Sequence, residues 1–100
     1  MARSDVGVYA ISVAAEMVSM EVQNLRVYER RGLIEPARTP GGTRLYSQND
    51  LERLIRIRDL LAEGLNLAGI ARVLALETEV VRLKNANARI RREIATGRAH

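Results

Sequence analysis

Gln23, Asn24, Arg26 and Arg30 fall within one short stretch, and their side chains are of the kinds that read base edges and hold phosphates. Gln and Asn present a donor and an acceptor to adenine, and the Arg fork grips guanine or phosphate. On a helix, Arg26 and Arg30 lie one turn apart. Val22, Leu25 and one side of Tyr28 then face a core, which leaves Gln23, Asn24, Val27 and Arg30 outward. Taken alone, this helix is equally consistent with a solvated face on which Arg26 and Glu29 balance their charges. The next segment shifts that balance. Leu33–Arg38 and Thr43–Tyr46 read as two short strands around Thr39-Pro40-Gly41-Gly42, a hairpin signal. Alternation puts Arg44 and Tyr46 on one face and Leu45 in the core. Arg38 and Arg44 then suit phosphate. Tyr46 suits packing against Leu51, with its hydroxyl within reach of a phosphate. A basic helix followed at once by a basic hairpin is built to hold a polyanion from two sides, with the helix in a major groove and the hairpin on its flank.

Other chemistries find little to work with. Cysteine is absent and the single histidine is His100, at the last position. Disulfides, thiolate catalysis, zinc sites and a buried acid–base pair therefore have no candidates, so no catalytic residue, metal site or cofactor is expected. No apolar run is long enough to span a bilayer and no signal-peptide pattern opens the chain, so a cytoplasmic, nucleoid-associated location is expected. The net charge of +4 is unevenly spread: residues 20–58 and residues 77–100 each carry +3, and residues 1–19 and 59–76 each carry −1. One basic patch thus covers the helix and hairpin, and the other covers the C-terminal segment.

The elements that must position these side chains follow from caps and periodicity. One hundred residues allow one small domain and an appended helix. Residues 1–8 read as a loose tail. Ser12 is a plausible N-cap for a short helix over Val13–Val18, and Ser19-Met20-Glu21 makes a turn. The Arg-bearing helix runs from Val22 to Arg31 and stops at Gly32, a C′ residue by type and place. Ser47 and Asp50 form a capping box for a third helix, with Tyr46 and Leu51 in the staple positions. Its apolar face is read as Leu51, Leu54, Ile55, Leu60 and Leu61, ending at Gly64. Asn66 caps a fourth helix to Leu76, which closes a winged domain over residues 9–76. Beyond it, residues 77–100 read as a dimerisation helix and tail. Val73, Leu76, Val80, Leu83, Asn87, Ile90 and Ile94 follow spacings of three and four, a heptad seam on an otherwise charged helix. A narrow apolar stripe of this kind requires a partner, so self-association is expected.

These motifs together resemble the MerR family of bacterial transcription regulators. The resemblance rests on Leu25-Arg26-Val27-Tyr28-Glu29-Arg30-Arg31-Gly32-Leu33, on Gly41-Gly42, and on Arg44-Leu45-Tyr46-Ser47 with Asp50. Glu63-Gly64-Leu65-Asn66-Leu67-Ala68-Gly69-Ile70 and Ile11-Ser12-Val13-Ala14-Ala15 look most like the HspR branch, whose members are heat-shock repressors. That resemblance implies an inverted-repeat operator in double-stranded DNA, genes of the stress response, and the chaperone DnaK as a partner. It also implies antiparallel dimerisation helices, although a seam Asn such as Asn87 is best known from parallel pairs. Length favours the antiparallel choice. A seam roughly 27 Å long separates two winged domains towards the 34–36 Å between successive major grooves. The chain departs from the family pattern at Val27, where many members carry a second tyrosine, at Ser19, where Gly is frequent, and at Glu21, which opens the recognition helix.

The fold class expected is therefore mostly α: a winged helix-turn-helix followed by a coiled-coil helix. The function expected is a homodimeric, sequence-specific DNA-binding regulator, a repressor, with Gln23, Asn24, Arg26, Val27, Tyr28, Arg30, Arg38, Arg44 and Tyr46 on the DNA. The alternatives are a MerR-type activator, an excisionase-like DNA-bending factor, and a coiled-coil adaptor for an acidic protein. An enzyme has no constellation to support it.

Overall fold

The computed structural model describes residues 4–97. Its elements are α1 (Ile11–Met17), α2 (Val22–Arg30), the strands β1 (Ala37–Arg38) and β2 (Arg44–Leu45), α3 (Gln48–Ala62) and α4 (Leu67–Ala95). The mostly α, winged helix-turn-helix class is thus present. The chain divides into two compact units at Leu65/Asn66, whereas the expected boundary after Leu76 falls inside a continuous helix. No helix among the described residues is long and apolar enough to cross a membrane.

In the first unit, three helices end in the same way. After each, the C′ residue takes a positive φ: Ser19 at 56°, Gly32 at 74° and Gly64 at 96°. In each case the C″ amide donates back to the C3 carbonyl: Met20 to Ala15 at 2.9 Å, Leu33 to Tyr28 at 2.9 Å, Leu65 to Leu60 at 3.2 Å. These are Schellman closures, which satisfy carbonyls the helix leaves open. Gly32 and Gly64 adopt that backbone without strain, while Ser19 holds it with a side chain. The helix starts are less uniform. Ser47 caps α3 in the expected box, accepting from the Asp50 amide at 3.0 Å while the Asp50 carboxylate accepts from the Ser47 amide at 2.8 Å. α1 differs from expectation: its N-cap is Ala10, with no side-chain cap, and Ser12 lies exposed within the first turn.

The core of this unit comes from Ala14, Ala15 and Val18 near α1, Leu25 and Tyr28 of α2, Leu33 and Ile34, and Leu51, Leu54, Ile57 and Leu60 of α3. Alanines at 14 and 15 let α1 approach its neighbour closely. On α3 the buried stripe contains Ile57, whereas Ile55 and Leu61 of the expected face are exposed. The strands are shorter than expected. Leu33 and Ile34 are buried outside any strand, and Pro36 cannot donate to a ladder.

Residues 4–8 are not a loose tail. The Asn49 amide donates to the Ser4 carbonyl at 2.9 Å, and the Val8 and Tyr9 amides both donate to the Tyr46 carbonyl. The Tyr46 amide returns a 2.7 Å bond to Tyr9, so the N-terminal segment adds an antiparallel bridge beside the wing. Gly7 is required there, because a Cβ would stand 2.7 Å from the Leu45 carbonyl oxygen.

In the second unit α4 runs unbroken for 29 residues, about 43 Å at 1.5 Å per residue. Asn66 caps it as expected, accepting from the Gly69 amide at 2.8 Å. Ile70 and Leu74 are buried; of the expected seam Val73 is half-buried, and Leu76, Val80, Leu83, Asn87, Ile90 and Ile94 are exposed.

Candidate nucleic-acid interface

Along α2 the 3.6-residue period divides the side chains as expected in outline. Leu25 is fully buried, and Gln23, Asn24, Arg26, Arg30 and Arg31 are exposed. Val27 is half-buried rather than outward. Tyr28 is buried, and burial pushes its phenol pKa up. Its ring packs in the core, yet Tyr28 also lines a surface cleft beside Asn24, so a backbone contact to DNA through its outer edge stays a proposal.

The wing turns on Thr39-Pro40-Gly41-Gly42. The Gly42 amide donates to the Thr39 carbonyl at 2.9 Å, and Gly42 has φ +88°. Pro40 presets the first turn position and Gly42 supplies the left-handed residue that returns the chain into β2. The register pairs Ala37 with Leu45 and Arg38 with Arg44. Two arginines therefore sit directly opposite each other, an arrangement that repels unless something lies between them.

Glu29, in the last turn of α2, lies between them. Its Oε2 accepts from Arg38 Nη2 at 2.7 Å, and its Oε1 accepts from Arg44 Nε. Arg38 also donates Nη1 to the Gly42 carbonyl at 3.0 Å. One carboxylate thus ties the recognition helix to both wing strands. Burial alone would raise the Glu29 pKa, but the two guanidiniums outweigh it and hold the carboxyl below its ordinary range. The same hydrogen bond raises Arg44 further above neutrality. Arg44 keeps 30% of its side chain exposed and Arg38 keeps 46%, so both still reach the surface.

Tyr46 corrects the reading of the strand. Alternation placed it beside Arg44 on the outer face with Leu45 inside, yet Tyr46 is 0% exposed and Leu45 only half-buried. The ladder stops at Leu45, and Tyr46 turns into the core through its bridge to Tyr9. Its hydroxyl is buried with no hydrogen-bond partner among the described residues, and burial raises its pKa. A phosphate contact from Tyr46 is therefore withdrawn; Tyr46 and Leu51, the two staple positions, are both buried.

The arginines sort into two sets. Arg53 donates Nε to the Leu33 carbonyl, and Arg58 donates Nη1 to the Val18 carbonyl at 2.9 Å, so both brace helix ends. Arg26, Arg30 and Arg31 stand exposed on or beside α2. Sequence reasoning missed the Glu29 clamp, having set Glu29 against Arg26. Its partners lie nine and fifteen residues along the chain, and no spacing rule connects them.

Residues 9–77 match the family described as MerR HTH family regulatory protein. The putative heat shock protein HspR of Streptomyces coelicolor is 47% identical over 81 residues, 80% of this chain and 54% of its own, so the chain spans about half the length of that relative. Among solved structures, HiNmlR, a MerR family regulator lacking the sensor domain and bound to promoter DNA, superposes with a TM-score of 0.65 at 25% identity, covering 88% of this chain and 74% of that one. The N-terminal part of MtaN, the Bacillus subtilis multidrug transporter activator, gives a TM-score of 0.64 at 30% identity over 89% and 93% of the two chains. With a family match over more than half its length, this chain belongs to the MerR family of helix-turn-helix regulatory proteins.

Proposed function

We propose that the chain binds an inverted repeat in double-stranded DNA as a homodimer and represses the genes that repeat controls. The observation that carries the reading is the exposed row of Gln23, Asn24, Arg26 and Arg30 on α2, in one unit with a wing whose arginines are tied to that helix. In this reading Gln23, Asn24 and Arg30 meet base edges, with Val27 at the margin of the contact, and Arg26, Arg38 and Arg44 hold backbone. The likeness to a heat shock protein supports a stress-response operon. The resemblance to that branch extends the proposal to the chaperone DnaK as a partner and to a cytoplasmic site of action.

The exposed seam of α4 supports the homodimer. Leu76, Val80, Leu83, Ile90 and Ile94 offer an apolar stripe with Asn87 in line. We assign the pair an antiparallel sense, because a seam roughly 27 Å long then holds the two chains' DNA-binding units apart towards the spacing of successive major grooves. In this cysteine-free chain, Val80→Cys and Ile94→Cys test that sense. Cross-linking of 80 to 94 between chains is expected, and efficient 80-to-80 and 94-to-94 linkage would overturn it.

Selection of bound fragments from the source genome at fixed salt, followed by footprinting, tests the whole reading. One discrete palindrome per promoter is expected. Several head-to-tail sites would make the protein a bending factor, and failure to retain any duplex at low salt would remove DNA from its function.

A further inference from the structure

Resting on the DNA-binding reading, we propose that Glu29 is a positioning residue: it holds Arg38 and Arg44 in the orientation from which the wing grips phosphate. A carboxylate beside a phosphate-binding surface is at first sight a liability, since it repels the ligand and neutralises the cations that attract it. The geometry gives it a different role. Arg38 is fixed at two points, by Glu29 at 2.7 Å and by the Gly42 carbonyl at 3.0 Å. Arg44 is held through Nε, the inner nitrogen, which leaves the outer end of its fork for another acceptor. The two arginines occupy paired positions on adjacent strands. Without a shared counter-charge they would splay apart into separate rotamers.

Arginine carries one of the largest side-chain entropies, and ordering it on a ligand costs affinity. A carboxylate that orders two arginines during folding removes that cost from binding, as the carboxylates that hydrogen-bond metal-ligating histidines do for those rings. One negative charge is then the means by which two positive ones are aimed. Glu29 also makes the wing's aim depend on α2, because it lies in the last turn of that helix. The phosphate grip and the base-reading face are set by the same element.

Charge alone predicts the opposite sign for a mutation, and this decides the test. Glu29→Ala raises the net charge by one, so a purely electrostatic account expects tighter binding to a mixed-sequence duplex. Positioning expects weaker binding, on the order of tenfold when two rotamer-rich side chains must be ordered by the ligand. The same substitution is then made in the Arg38→Ala/Arg44→Ala background, where positioning expects no further change because Glu29 has nothing left to aim.

Binding is measured by fluorescence anisotropy on the full chain, with circular dichroism to confirm folding. Weaker binding of Glu29→Ala alone, absent in the double background, supports the assignment. Binding as tight as the unmutated protein or tighter overturns it in favour of a shield, and an equal loss in both backgrounds overturns it in favour of general support of the fold. If Glu29→Ala does not fold, Glu29→Gln, which keeps the shape and an acceptor oxygen, is carried through the same cycle with the same outcomes and a smaller loss. Should the unmutated protein retain no duplex at low salt, the DNA-binding reading fails first and takes the assignment with it.

Discussion

α3 and α4 are both long amphipathic helices with well-made N-caps, and they spend their apolar residues in opposite ways. α3 buries Leu51, Leu54, Ile57 and Leu60 within 15 residues and closes on Gly64. α4 buries Ile70 and Leu74 near its start, then carries Leu76, Val80, Val81, Leu83, Ile90 and Ile94 exposed. Local support in its outer part includes the Glu79–Arg82 ion pair at 2.6 Å, between two exposed side chains. A pair of that kind is worth a few tenths of a kcal/mol, and isolated helices are marginal in water. The comparison teaches that the same helical grammar serves two purposes. In α3 the stripe is consumed by the fold, and in α4 it stays exposed, where the proposed homodimer would use it.

The widest gap between the two helices is expected from truncating a leucine in each. Leu54→Ala should cost about 2–5 kcal/mol at any protein concentration, because it opens a cavity in a closed core. Leu83→Ala should leave the first unit's unfolding unchanged and instead make dimer dissociation easier. Denaturant melts at two protein concentrations separate these outcomes. A concentration-independent loss for Leu83→Ala would show that α4 is stabilised within its own chain and break the comparison.

A smaller effect is expected on α2, whose outer face is exposed like that of α4 but is assigned to DNA. Gln23→Ala or Asn24→Ala should relax base preference at particular operator positions by roughly 1–3 kcal/mol. Equal weakening on specific and random duplexes, read in competition assays, would remove both from base reading. Next comes Tyr46→Phe, which removes a buried hydroxyl that has no partner among the described residues. It should stabilise the unit by about 1 kcal/mol and leave DNA affinity unchanged. Lost affinity would restore Tyr46 to the interface.

The smallest effect is a pH dependence. Glu29 has its pKa lowered in the folded state, so its contribution is fully present above the ordinary carboxylate range. It is lost as pH falls through the depressed folded value. Acid titration of stability should therefore be shallower in Glu29→Gln than in the unmutated protein. Identical acid limbs in thermal melts would show that the clamp adds nothing to folding.

What could be read in advance was local. The Ser47/Asp50 box, the Asn66 cap and the stops at Gly32 and Gly64 each depend on residues within one turn, and all four are present. Long-range pairing defeated the rest. Tyr46 is buried and Leu45 only half-buried because Tyr46 answers to Tyr9, thirty-seven residues earlier in the chain. Glu29 finds its partners only once the hairpin has folded back. The division expected after Leu76 is a separate matter: the family match ends beside it at residue 77, while α4 runs through it with no glycine, proline or cap.

The bridge from residues 8 and 9 to Tyr46 bears on where the chain can safely be cut. The family match begins at Tyr9, and a fragment trimmed to that edge would keep the Tyr9 bonds but lose Gly7, the Val8 amide and the Ser4 carbonyl that receives Asn49. Its hairpin would keep the turn at Gly42 while one flank of Tyr46 opened to water. Proteolysis near the N-terminus should thus loosen the wing before it harms any helix, and a tag fused directly at Tyr9 would report on a weakened hairpin rather than on the protein.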